Sequence, residues 1–265
     1  MNGPARQTRR GLGLVALGVG VFLYVPIAMV VVGSFNAARH GLAWEGFTLR
    51  WYASLFENRE AQEAAINTLQ LAMVSTALAT MLGTALGYVL ARHPFPGRPA
   101  VQRFLQLPVF VPDLVLAAGL VLFFQLTRSW LGLFELGFPA MLAGHVTFQI
   151  PFVAMVVRAR LAGLDPALEE AAHDLGADAR AVFRHVTLPL MAPGVAAGAL
   201  LAFTLSLDDF VVSYFTGGPG SMTLPVLIYT SVRRGLSPEI HALSALLILA
   251  SVVITAAVLR LQRRR

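Results

Sequence analysis

Three carboxylates, Asp113, Asp208 and Asp209, sit in stretches of chain that are otherwise almost wholly apolar. A carboxylate at the centre of a bilayer costs about 2.5 to 3.5 kcal/mol on insertion scales, so each has to face a bundle interior, a wet pathway or a partner. The chemistry open to such acids is to lower the barrier for an organic cation, which makes them the candidate substrate-pathway residues. Asp208 and Asp209 are about 100° apart on a helix, so at most one points squarely into a pathway while the other pairs or caps. The alternative is that the helix breaks near Ser206-Leu207-Asp208-Asp209 and the carboxylates cap backbone N–H groups. His145 and Gln149, four residues apart just before Pro151, either line a pathway or join helices by a hydrogen bond. Ser206 with His145 is the only conceivable hydrolytic pair, and nothing in the spacing supports it. His173 and His185 lack the spacing of metal ligands and the chain has no cysteine, so neither a metal nor any other cofactor is expected. Lysine is absent too. A Gly-Lys-Ser/Thr phosphate loop is therefore excluded, and any ATP has to be handled by a partner chain.

The elements that must position these residues are membrane-spanning helices. A hydrophobic content of 57% against 13% charged residues and a mean hydropathy of +0.70 leave too little polar surface for a soluble globule. The expected fold is an all-α integral membrane protein, a single transmembrane domain over residues 1–265. Its six spans are expected at about 12–34, 66–91, 104–127, 138–158, 193–215 and 239–260, near the ~20 apolar residues that a hydrocarbon core requires. Arg6, Arg9 and Arg10 precede a first apolar run that is too long for a leader and lacks an Ala-x-Ala site, so it reads as an uncleaved span. Cytoplasmic segments retain positive charge. The arginines cluster at 6–10, 92–103, 158–184 and 260–265, which places both termini and the insert after the fourth span in the cytoplasm. That topology absorbs most of the net charge of +6, and nucleic acid is not an expected partner.

The insert, about 161–192, has its own grammar. Asp165 is placed to cap a helix beginning at Pro166, with Glu169 and Glu170 near the positive end of its dipole. Gly176 can end that helix in a left-handed conformation. Asp178 can cap a second helix from Ala179 to about Val186, which Leu188-Pro189 is expected to stop. The result is two short helices at an elbow, suited to a groove on another protein. In the long outside loop Thr48 can cap a helix carrying Leu49, Tyr52 and Phe56 on one face, reading as a headgroup-layer anchor. Ala79, Gly83 and Gly87 make a smooth stripe for close helix packing.

Glu170-Ala171-Ala172, three residues, Gly176, nine residues, then Val186-Thr187-Leu188-Pro189 resembles the cytoplasmic EAA loop of ABC-importer permeases, with valine for the more usual isoleucine. Asn67-Thr68-Leu69, Gly83 and Gly87, and the position of the insert extend the resemblance over most of the chain. It implies a type I ABC importer permease fold and a coupling helix docked in a cleft of an ATPase. Glu169, Glu170, Ala171, Ala172, Gly176, Leu188 and Pro189 would form that ATPase-coupling element. Ser206-Leu207-Asp208-Asp209-Phe210, Thr216-Gly217-Gly218-Pro219-Gly220, Thr223-Leu224-Pro225, Ser231-Val232-Arg233 and Ser237-Pro238-Glu239-Ile240-His241-Ala242-Leu243 are similar to the second permease of spermidine/putrescine importers. Tyr24, Pro26, Ser34-Phe35-Asn36, Arg50-Trp51-Tyr52 and Pro112-Asp113 match the same subfamily, most closely its putrescine branch. What this implies is a non-enzymatic transport subunit of a bacterial inner membrane. Its implied partners are a second permease, two ATPase subunits and a soluble binding protein. Related permeases carry opines, aminophosphonates or ferric iron, so another small solute remains open, as does a gradient-driven carrier without an ATPase. The chain lacks the inverted repeat of many such carriers, and that reading leaves the insert unexplained.

Overall fold

The computed structural model describes the backbone of residues 4–39, 43–132, 135–234 and 238–263, and the side chains of those between 12 and 253. Ser237 and the side chains of Arg6, Arg9, Arg10, Arg260 and Arg263 to Arg265 lie outside the described residues. The helices are α1 (Pro4–Gly33), α2 (Arg50–Glu57), α3 (Arg59–Arg92), α4 (Arg98–Phe104), α5 (Leu107–Phe110), α6 (Asp113–Leu131) and α7 (Phe138–Ala162). They continue with α8 (Ala167–Asp174), α9 (Ala179–Val182), a π-helical turn Phe183–Thr187, α10 (Leu188–Leu207), α11 (Val211–Thr216), α12 (Leu224–Arg234) and α13 (Pro238–Arg263). Contacts divide them into two compact units, Met1–Gln62 with Leu227–Arg265, and Glu63–Val226.

Among the described residues five helical stretches are long and apolar enough to cross a membrane: Leu12–Gly33, Arg59–Arg92, Asp113–Leu131, Phe138–Ala162 and Ala179–Leu207. The described apolar part of α13, Pro238–Val253, is shorter. Two expected spans are corrected. The run 104–127 is broken at Val111-Pro112, because proline holds the residue before it extended. The run 193–215 is broken at Asp208, and its helix instead begins before the π turn, continuous through Leu188-Pro189. Pro189 was expected to stop it. In a regular helix its ring would strike the carbonyl four residues back, but here it follows a wide turn in which the Leu188 N–H bonds Phe183 O five residues back.

The larger unit is built around α7. Ala79 is fully buried on α3, and a β-carbon at Gly83 would come within 2.9 Å of Ile150 O, one at Gly87 within 2.7 Å of Ala154 O. On α10 a β-carbon at Gly194 would meet Arg160 Cβ at 2.6 Å and one at Gly198 would meet Val153 at 3.2 Å. Two glycine grooves thus pack against adjacent faces of α7 and meet at Val153, and the buried cluster Val153, Val157, Leu161, Met191 and Ala202 fills the seam. The start of α3 is stitched to a distant segment: Asn67 Nδ2 donates to Gly220 O and Met222 O, both at 3.0 Å, and the Leu224 N–H donates to Thr68 Oγ1 at 2.8 Å.

In the smaller unit Ser34-Phe35-Asn36 and Arg50-Trp51-Tyr52 interlock. Ser34 Oγ meets Tyr52 Oη at 2.6 Å, Trp51 Nε1 donates to Asn36 O at 2.7 Å, and Phe35 stacks on Phe47. Thr48 Oγ1 does accept from the Arg50 N–H at the start of α2. The buried face of α2 is Trp51 and Leu55, however, while Leu49 and Phe56 are exposed, as an interfacial anchor requires. Ser54 Oγ donates to Glu239 Oε1 at the start of α13, and a β-carbon at Gly33 would strike His241 Nδ1 at 2.7 Å. No residue of α1 from Leu12 to Gly33 is fully buried, and its open face suits hydrocarbon or another subunit.

Candidate functional site

The break after α10 separates the two adjacent acids. Asp208 is the C-cap of α10 and is exposed, engaging no donor on another residue among those described. Asp209 has only 12% of its side chain exposed. Its Oδ1 accepts from the Val212 N–H at 3.3 Å, and its Oδ2 from the Ser213 N–H at 2.8 Å and Ser213 Oγ at 3.0 Å. These are the first free N–H groups of α11, so Asp209 is a helix cap that also meets His145 Nε2 at 3.2 Å. Asp113 is the exposed first residue of α6, again at a helix start rather than midway along a span. Membrane-spanning helices tolerate carboxylates poorly, and all three have been moved to helix ends where orphan N–H groups or solvent receive them.

His145, 2% exposed, is the hub of a buried polar chain across four helices, α3, α7, α10 and α11. Its Nδ1 lies 2.8 Å from Ser206 Oγ and its Nε2 3.0 Å from Ser213 Oγ. Ser206 Oγ lies 3.2 Å from Ser75 Oγ, which accepts from Gln149 Nε2 at 3.1 Å. The proton positions follow from counting donors. Ser213 gives its only hydroxyl proton to Asp209, so Nε2 of His145 carries hydrogen and faces both. Nδ1 then pairs with Ser206, which pairs with Ser75 in turn. Ser206, His145 and Asp209 do meet in the order of a hydrolytic triad, contrary to the expectation from spacing. Ser206 is 4% exposed and already hydrogen-bonded, so no acyl group reaches it, and the constellation joins helices. Spacing along the chain did not mark Ser75 or Ser213; their signal was only polarity within apolar spans, where every donor needs a partner.

The insert forms the second candidate surface. Asp165 Oδ1 accepts from the Ala167 N–H at 3.0 Å, so α8 starts one residue later than expected. Its far end is a full Schellman closure: Gly176, at φ +87°, donates to His173 O at 2.9 Å and Ala177 to Ala172 O at 3.1 Å. No atom crowds Gly176, so its backbone conformation alone calls for glycine. Asp178 Oδ1 accepts from the Ala181 N–H at 2.7 Å, capping α9 as expected. Glu170 and Ala171 are exposed, Ala172 half-buried, and Leu188 and Pro189 exposed at the start of α10. Leu168 and Leu175 are 48% and 89% exposed, an apolar face on a polar element. Glu169 turns the other way, toward Arg92 and Thr187. Metal-binding clusters of three or more His, Cys, Asp or Glu are absent among the described residues.

Residues 81–264 match the family described as binding-protein-dependent transport system inner membrane component. The spermidine/putrescine transport system permease protein PotC of Escherichia coli (strain K12) is 43% identical over 236 residues, 89% of this chain and 88% of that one. The putrescine transport system permease protein PotI of the same strain is 39% identical over 229 residues, 86% and 82% of the two chains. A chain of a bacterial ABC transporter involved in the import of the acidic polysaccharide alginate superposes with a TM-score of 0.77 at 20% identity, covering 98% of both chains. A chain of the MetNI methionine ABC transporter superposes at 0.62, with 20% identity over 82% of this chain and 99% of that one. The chain is thus a transport subunit rather than an enzyme, and it belongs to the inner membrane components of binding-protein-dependent ABC transport systems.

Proposed function

We propose that this chain is the second permease subunit of an ATP-driven polyamine importer in a bacterial inner membrane, with both termini in the cytoplasm. It pairs with another permease, and two ATPase subunits and a soluble binding protein complete the machine. The observation that carries the coupling half of this reading is the exposed apolar edge of α8, Leu168 and Leu175 with Ala171 between them, on a helix whose Glu170 is exposed as well. A capped short helix of that build is made to enter a groove. The cargo follows from the spermidine/putrescine relatives, and it agrees in sign with Asp208, an acid left free at a helix break.

ATP hydrolysis by the reconstituted complex is the test, with the binding protein loaded with putrescine, spermidine or nothing. Stimulation by a loaded amine is expected; an assembled complex indifferent to both amines discards polyamines as cargo. Asp208→Asn is expected to leave thermal stability unchanged and to lower amine transport about fivefold, the worth of one wet charge contact near 4 Å. Unchanged uptake rates remove Asp208 from the pathway.

A further inference from the structure

We infer that Glu169 is the strut that fastens α8 to the membrane helices, a positioning residue rather than part of the surface that meets the ATPase. Its Oε1 lies 3.1 Å from Arg92 Nη2 and accepts from Thr187 Oγ1 at 2.9 Å. Arg92 is the last residue of α3, and Thr187 closes the π turn that runs into α10. One carboxylate oxygen therefore joins α8 to two spanning helices. The site is sheltered, with Arg92 and Glu169 side chains 18% and 24% exposed and Thr187 buried at 2%. Arg92 Nε and Nη2 are both buried without a hydrogen bond, so the contact at Nη2 is an ion pair and the guanidinium depends on the Glu169 charge for compensation.

The π turn brings Thr187 to this position. Its extra residue turns the side chains that follow by about 100° relative to a continuous α-helix. Phe183 of the same turn packs edge-on against Tyr88 of α3 at 5.2 Å between ring centroids, a second tie at the same level. Arg160 Nε donates to Leu190 O at 3.1 Å, which adds α7 to the platform. A push on the exposed face of α8 is delivered through Glu169 to the ends of α3 and α10 together. Glu170, one residue on, faces outward. The two neighbouring acids thus divide the work: Glu170 meets the partner and Glu169 transmits.

This inference rests on the reading of α8 as the ATPase-docking element, and the experiment separates the two. The chain has no cysteine, so His93→Cys and Asp174→Cys place spin labels only at the end of α3 and on α8, both at exposed positions. Pulsed EPR on the assembled complex, nucleotide-free and vanadate-trapped, reads the distance between them. In the parent the distance is expected to stay fixed and narrow in both states. Glu169→Gln is expected to keep the ATPase bound, to widen and shift the distance on trapping, and to lower transport per ATP about tenfold. The exchanged pair Glu169→Arg with Arg92→Glu is expected to restore the narrow distance. Glu170→Arg tests the docking reading separately and is expected to release the ATPase with the label distance unchanged. Release of the ATPase by Glu169→Gln overturns the inference, as does a Glu169→Gln distance identical to the parent in both states.

Discussion

His145→Leu is expected to destabilise the folded chain by about 3–5 kcal/mol, read as a lowered melting temperature of the purified protein in detergent. Leucine fills most of the ring's volume but returns none of its hydrogen bonds. Ser206 loses its partner at Nδ1, and Ser213 and Asp209 lose a donor, all within 3.2 Å of the imidazole. Each buried group so orphaned costs about 1–3 kcal/mol. The rim of the same chain behaves differently. Gln149→Leu removes one interhelical bond to Ser75, worth about 0.6 kcal/mol on the average of such bonds in membranes. Gln149 Oε1 is already buried without a partner, so its removal recovers part of that. A double-mutant cycle of His145→Leu with Asp209→Asn isolates the pair: the histidine change is expected to cost less once the carboxylate is gone. Equal costs in both backgrounds mean that His145 and Asp209 do not act as a unit.

Gly87→Leu is expected to abolish recovery of folded protein, measured as the monodisperse fraction after extraction. A first side-chain carbon at this position would already stand 2.7 Å from Ala154 O and 3.1 Å from Val157 Cβ. A backbone carbonyl in the middle of α7 cannot swing aside as a side-chain tip can. Overpacking of this kind costs about 1–3 kcal/mol per excess methylene cluster and more where backbone must shift. Gly18→Leu is the matched control: nothing lies within 4 Å of its added carbon, and the substitution favours the helix by its propensity. Equal recovery of both variants would falsify the close approach of α3 and α7 as the organising contact of the larger unit.

What could be read from residue types alone was mainly what local chemistry decides. Asp178 capped its helix and Gly176 adopted the left-handed turn because short side chains and missing β-carbons act over three or four residues. The stripe Ala79, Gly83, Gly87 announced a helix contact, though not that α7 was the partner or that α10 offered a second groove. The π turn left no such signature, since five residues of π-helix and of α-helix carry the same apolar pattern and Pro189 reads as a stop in either. The inward turn of Glu169 was equally hidden, because its partners lie 77 and 18 positions away, in Arg92 and Thr187. Short motifs that carried the resemblance proved to be chain crossings: Ser34-Phe35-Asn36 on Arg50-Trp51-Tyr52, and Asn67-Thr68 on the segment from Gly220 to Leu224.

The stitch at Asn67 sets an order of events during synthesis. Its amide waits for carbonyls 153 and 155 residues further along the chain. At translation rates of about 5–20 residues per second that interval is roughly 8–30 s. Throughout it, the start of α3 lacks both carbonyl partners of Asn67, and the Thr68 hydroxyl lacks the Leu224 N–H. A nascent chain released before Gly220 emerges carries its spanning helices without their closing knot.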